Sequence, residues 1–280
     1  MPNDTSFLNK AKSVKNDEFY TTYDYIDIEV KHYKDSFKDK IIYCPCDDYR
    51  ISNFPLYFKN NFSNFGLKKV IASCYSPNGK GTLYIFDGEK EIAKEMFSNG
   101  DFLGEEVKSI MKQTDIIVTN PPFSLLQKFY KLLKTLNKDF LMVSPMAFIP
   151  TSRFDDIATY KTILHRQSYK RYYFINSNDI RNLTQSDLKE MSKNPKYGIF
   201  STGTLCWLTN LINDFNNPLN RPFLKTIDSF DESYYKRYDK PNDDILIIPS
   251  IKEIPKNYKG VMALPLTILL KINPKQFENS

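Results

Sequence analysis

Residues 115–124 read DIIVTNPPFS. The run Ile116-Ile117-Val118-Thr119 is short, unbroken and β-branched, which is the composition of a strand buried on both faces. Asn120 and two prolines stop it. Pro121 and Pro122 fix φ and carry no N–H, and each pushes the residue before it out of the helical region. The segment is therefore held extended with its carbonyls turned outward. From Ser124 the spacing changes, and Leu125, Leu126, Phe129, Leu132 and Leu133 fall on one helical face. A buried strand, a stiff turn and an amphipathic helix form one unit of an α/β fold.

The same unit recurs on either side. DKIIYC (39–44), LKKVIASCY (67–75), TLYIFDG (82–88) and DFLMVSP (139–145) read as strands. SNFPLYFKNNFSNFG (52–66) reads as a helix with Ser52 as N-cap, Pro55 in the first turn and Gly66 as C-cap. EKEIAKEMFSNG (89–100) and LGEEVKSIMKQT (103–114) also read as helices. This alternation predicts an α/β sheet with helices on both faces. Ligands in such sheets lie beyond the C-terminal ends of the strands, which is where Asn120 falls. After about Ile149 the chain becomes polar, basic and rich in tyrosine, so a core over 1–150 and a second region over 151–280 are expected. Within the latter, 197–211 regains strand-like alternation and is expected to rejoin the core sheet.

A chain of 280 residues with 41% hydrophobic content can bury one substantial core plus a smaller lobe. It has no apolar run long enough for a bilayer and no secretory signal, so a soluble, cytoplasmic protein without a membrane partner is expected. Cys44, Cys46, Cys74 and Cys206 are expected to be reduced, and CPC with only two histidines is no zinc spacing, so no metal is expected. The net charge of +6 points only weakly to nucleic acid. Its distribution is more informative. Lys161, His165, Arg166, Lys170 and Arg171 have no acid among them and interleave with Tyr169, Tyr172 and Tyr173. That composition suits phosphate and base-edge contact, and equally a solvated basic face.

The Asn120 amide oxygen and the Pro121 carbonyl would form two rigid acceptors side by side. A nucleobase amino group offers two N–H donors to such a pair. Its lone pair is delocalised into the ring and is a poor nucleophile. Gripping both hydrogens favours a tetrahedral nitrogen and stabilises the positive charge that develops on attack. Phe123 would offer a stacking face. The plainer reading is a strand-to-helix turn with Ser124 as the helix cap.

NPPF after such a strand resembles the catalytic motif of amino-group DNA methyltransferases, with Asn120, Pro121, Pro122 and Phe123 as the catalytic set. KNDEFYT, CPCDDYRISNF, GDF, DIIVTNPPFSL, GTLCWLTN and IPKNYKGVMALPLTILLKINPKQFE together resemble the EcoRI-type adenine-specific methyltransferase family, from about Lys15 to the C-terminus. The resemblance implies a Rossmann-like S-adenosylmethionine-dependent methyltransferase sheet with helices on both faces, followed by a C-terminal DNA-recognition region. It implies that Glu18, Phe19, Tyr20 and Thr21 close over the methionine end of the cofactor, with the Thr21 hydroxyl on its carboxylate. Cys44, Pro45, Cys46, Asp47, Asp48 and Asn53 would hold the methionine and ribose, the two aspartates taking the ammonium and the hydroxyls. Asp101 would meet the adenine amine, with Phe102 beside the ring. No acid ends the second strand at Ser73-Cys74-Tyr75, so the ribose would rest on other groups.

The resemblance further implies double-stranded DNA as partner and a flipped adenine as target, with Lys161, Arg166, Lys170 and Arg171 touching the DNA. It implies a monomer paired with a cognate restriction endonuclease, and relatives that continue past Ser280. A cytosine amine, RNA or a protein glutamine are alternative targets, and a catalytically silent DNA-binding homologue is an alternative role. Phe123 stands where the glutamine enzymes usually carry Tyr.

Overall fold

A computed structural model describes residues 21–145, 163–165, 172–175, 185–193, 199–202, 205–228, 231, 233, 235–240, 243–256 and 258–276. The chain runs α1 (Tyr23–Val30), α2 (Lys34–Phe37), β1 (Ile41–Cys44), α3 (Asn53–Asn60), α4 (Phe62–Phe65), β2 (Lys69–Cys74), β3 (Thr82–Phe86), β4 (Glu91–Glu95), α5 (Glu105–Gln113), β5 (Ile116–Thr119), α6 (Leu126–Thr135) and β6 (Asp139–Pro145). It continues through β7 (Ile163–His165), β8 (Tyr172–Ile175), α7 (Gln185–Met191), β9 (Ile199–Thr202), β10 (Leu205–Thr209), β11 (Lys236–Lys240), β12 (Asp243–Ile247) and β13 (Val261–Ala263). Two compact units emerge, one within Met1–Ser152 and Arg166–Leu211, the other within Arg153–His165 and Ile212–Ser280.

In the first unit seven strands lie in the order β4-β3-β2-β1-β5-β6-β10. The four central strands β2, β1, β5 and β6 are parallel. The β3–β4 hairpin extends one edge and β10 the other, all antiparallel. Alternating side chains serve the two faces. Ile116 and Val118 of β5 and Leu141 and Val143 of β6 join a core with Tyr25, Phe54 and Phe58 from α1 and α3. Phe140, the residue before Leu141, turns to the other face and packs edge-on against Tyr130 of α6, ring centroids 5.8 Å apart. Trp207 of β10 is wholly buried, stacked on Tyr25 at 5.2 Å and edge-on to Phe54. Strands β8 and β9 form a separate antiparallel pair.

The helix expected over 52–66 divides at Asn61 into α3 and α4. Its ends are the expected ones. The Ser52 hydroxyl oxygen accepts from Phe54 N–H, and Gly66 closes in the left-handed region at φ 62°. The helix expected over 89–100 is corrected: Glu91–Glu95 is the edge strand β4, fully exposed and paired with β3 from Thr82↔Glu95 to Phe86↔Glu91. Glu, Lys, Ala and Met favour a helix, but the turn decides otherwise. Asp87 Oδ1 accepts from Glu89 and Lys90 N–H, and Gly88 takes φ 100°. The ladder with β3 then outweighs local propensity, and the alternating charges suit a sheet edge.

The second unit contains β7 and a sheet in which β12 pairs antiparallel with β11 and parallel with β13. Tyr235, Leu246, Ile248, Ile254 and Ile268 form its core. Among the described residues no helix is long and apolar enough to cross a membrane.

Candidate active site

The chain leaves β1 toward β2 on one side and leaves β5 toward β6 on the other. The loops after β1 and β5 therefore diverge and open a crevice at the strand ends. The β1 loop, Pro45-Cys46-Asp47-Asp48, contains no glycine. Carboxylates shape it instead. Asp47 N–H donates to the Ser73 carbonyl at 3.0 Å, tying the loop to β2. Asp47 Oδ1 accepts from the Ser52 hydroxyl at 2.6 Å, and Oδ2 accepts from the Thr119 hydroxyl at 2.5 Å. Asp48 accepts a fork from Arg50 through Nε and a terminal nitrogen. The hydrogen bond and charge of Asp48 raise the Arg50 pKa further, so the guanidinium stays protonated.

Beyond β5, Pro122 is extended at φ −54°, ψ 122°, and residues Phe123–Leu125 make one 3-10 turn before α6. Leu125 N–H donates to the Pro122 carbonyl at 3.0 Å, so the turn closes on Pro122 and not on Pro121. Ser124 lies inside this turn and does not cap it; Pro122 holds the cap position. Asn120 is partly exposed at the crevice with its amide oxygen buried. Pro121 is buried, and Phe123 is half-buried against the main core.

Two cavities adjoin here and share Cys46, Tyr75 and Pro122. The larger, about 370 Å³, is polar and is lined by Thr21, Asp47, Asp48, Arg50, Lys80 and Asn120 among others. The smaller, about 220 Å³, is lined by Pro45, Gly100, Asp101, Phe102 and Leu125 besides the shared residues. Phe102 is held edge-on by Phe129 of α6, centroids 5.0 Å apart. Asp101 Oδ1 accepts from Leu103 N–H at 2.9 Å.

A polar chamber joined to an aromatic one suits an amino-acid end and a purine on one molecule. The Thr21 hydroxyl is buried at the larger cavity without a hydrogen-bond partner. An orphaned polar atom of this kind marks a place for a ligand group. The residues present therefore fit S-adenosylmethionine.

Of the residues singled out in the sequence, Thr21, Pro45, Cys46, Asp47, Asp48, Asp101, Phe102, Asn120 and Pro122 meet at these cavities. Cys44 does not: it ends β1 inside the hydrophobic core. Asn53 is buried behind the cavity wall and donates to the Thr21 carbonyl at 2.8 Å. Glu18, Phe19, Tyr20, Lys161, Arg166, Lys170 and Arg171 lie outside the described residues. The sequence reading missed Arg50, Ser52 as a partner of Asp47, Lys80 and Thr119. Arg50 was legible two residues after Asp48; Thr119 carried no signal beyond adjoining Asn120.

Burial pushes the Cys44 thiol well up, and burial followed by the Asp48 charge pushes up Cys74. Both stay protonated at neutral pH and are not poised as nucleophiles. No group of three or more metal-ligating side chains converges among the described residues.

A family model described as "Adenine-specific methyltransferase EcoRI" matches residues 7–279. The chain belongs to the EcoRI-type adenine-specific methyltransferase family. Type II methyltransferase M.EcoRI of Escherichia coli is 35% identical over 308 residues, covering 97% of this chain and 87% of that protein. M.MgeORF184P of Mycoplasma genitalium is 36% identical and M.MpnI of Mycoplasma pneumoniae 34%, each covering 97% of this chain and 84% of the relative. No solved structure matches. Membership in this EcoRI-type family makes the protein an adenine-specific methyltransferase with a Rossmann-like α/β core.

Proposed function

We propose that the protein is the modification methyltransferase of a restriction system, acting in the cytoplasm on an adenine flipped out of double-stranded DNA. The observation that carries this reading is the position of Asn120, on a proline-stiffened turn at the mouth of a cavity that fits S-adenosylmethionine. When bound, that cofactor supplies a methyl group made electrophilic by its sulfonium sulfur. Thr21 would hold the cofactor's carboxylate, Asp48 the hydroxyls of its ribose, and Asp101 with Phe102 its adenine. Asp48 takes the ribose role because neither Cys74 at the end of β2 nor Tyr75 after it is an acid, and Asp48 lines the same cavity.

On the DNA side, the Asn120 amide oxygen and the Pro121 carbonyl accept the two hydrogens of the target amine. Both acceptors are fixed before the substrate arrives, so no reorganisation is needed as positive charge grows on nitrogen. The amine needs no general base before transfer; its proton leaves afterwards to solvent. Phe123 offers the exposed part of its ring to the flipped base. The basic stretch with Lys161, Arg166, Lys170 and Arg171 contacts the DNA, within a target-recognition region after residue 150. The protein works as a monomer beside an endonuclease that cuts the same site.

The test is methylation of mixed-sequence duplex DNA with labelled cofactor, followed by nucleoside analysis and sequencing of the modified sites. N6-methyladenine at one recurring site is expected. Label on cytosine, RNA or protein would replace the substrate, and cofactor binding with no transfer would leave a silent DNA-binding homologue.

A further inference from the structure

Asp47 lines the cofactor cavity, yet its carboxylate faces inward at both oxygens. It is 5% exposed, and its two hydroxyl partners, Ser52 and Thr119, are 4% and 0% exposed. The contacts of 2.6 and 2.5 Å lie in the short range of hydroxyl donors on an ionised acceptor. The second contact spans 72 residues of sequence and reaches the residue just before Asn120.

The strand ladder explains why a strut is needed there. On the β6 side, the pairing of β5 continues to Thr119↔Met142. On the β1 side it stops at Tyr43↔Ile117. Thr119 and the turn that follows it therefore overhang β1, and Asp47 supplies the link where that ladder has ended. The same carboxylate is bound to the N-cap of α3, whose first residue, Asn53, holds the Thr21 carbonyl. One side chain thus joins the wall of the cofactor cavity to the base of the catalytic turn.

We propose that Asp47 is a positioning residue that aligns Asn120 through Thr119, and not a ligand for the ammonium or hydroxyls of the cofactor. This rests on the reading of Asn120 as acceptor for the target amine. A carboxylate has about four acceptor sites, so a ligand role has to be separated from this one by experiment.

Thr119→Val keeps the shape and removes the donor, while Thr119→Ser keeps the donor. Cofactor affinity by calorimetry and the single-turnover rate on saturating DNA are measured for both, and for Asp47→Asn. Thr119→Val is expected to slow transfer roughly ten- to hundredfold by displacing an aligned group, with cofactor affinity within about twofold on the same grounds. Thr119→Ser should restore the rate. The effects of Asp47→Asn and Thr119→Val should not add, because each breaks the same link. Thr119→Val at the wild-type rate overturns the proposal, whether or not Asp47→Asn folds. So does an Asp47→Asn variant that loses cofactor affinity while Thr119→Val changes nothing. If Asn120→Ala is silent and Thr119→Val is not slowed, only this inference fails; if the wild type methylates no DNA, the underlying reading fails and takes this one with it.

Discussion

Gly100 lies with φ 79° directly against the carbonyl oxygen of Cys74, so that a side-chain carbon at position 100 would come well inside van der Waals contact of that oxygen. The contact ties the segment entering the smaller cavity to the end of β2, and Gly81 closes on the same carbonyl from the hairpin side. Gly100→Ala meets a backbone clash and a left-handed conformation together. It should destabilise the protein by about 2 kcal/mol and weaken cofactor binding, since Asp101 follows directly. Urea unfolding and calorimetry check the two effects; a variant with wild-type stability would show that this approach is not needed.

Asp101 has two duties that a pair of substitutions can separate. Its Oδ1 accepts from Leu103 N–H, and its carboxylate faces the smaller cavity. Asp101→Asn keeps an oxygen for the turn and loses the charge. Its melting temperature should match the wild type while cofactor affinity falls about tenfold, the scale of one charge-assisted hydrogen bond. Asp101→Ala should lose both. Unchanged affinity in both variants removes Asp101 from the adenine site.

Asn120→Ala should bind cofactor normally and all but lose methyl transfer. Loss of one aligned acceptor at a developing charge is expected to cost on the order of 3 kcal/mol, a hundredfold or more in rate. Phe123→Ala removes a stacking face of roughly 1–3 kcal/mol, so retention of the flipped base should fall with the rate, and Phe123→Trp should recover part of it. A fluorescent base analogue at the target separates flipping from chemistry. Transfer by Asn120→Ala at the wild-type rate would leave the turn as stiff scaffolding and nothing more.

Removing the charge of Arg166, Lys170 and Arg171 should lower DNA affinity and flatten its dependence on salt. Each lost phosphate contact should reduce the log–log slope by about 0.9. A slope equal to that of the wild type assigns the cluster to a solvated face.

The parallel strands were legible because each is a short apolar run bounded by turn residues, and Ser52 and Gly66 marked the helical stretch between two of them. The strand β4 was not, because its residues favour a helix and only the Asp87-Gly88 turn and the ladder with β3 override that preference. The cavity lining was legible where it is local in sequence: Asn120 and Pro122, Asp47-Asp48, Asp101-Phe102. What escaped was the use of each group. Nothing near Asp47 in the sequence announces its partner Thr119, and Cys44, which falls in the strand expected over 39–44, carries no local sign that its side chain belongs to the core and not to the cavity.

Trp207 has a consequence for how the molecule comes into being. The chain is made from its N-terminus, and β1, β5 and β6 have all emerged before residues 205–209 exist. Until then Tyr25 and Phe54 face a gap the size of an indole, and the backbone of β6 from Leu141 to Pro145 is an open template for another strand. The nascent protein thus passes through an interval in which every crevice-forming strand is present but the place of Trp207 beside Tyr25 and Phe54 is unfilled. Stalling or cleavage between Pro145 and Leu205 would strand it there, in a state prone to pair with a neighbouring chain.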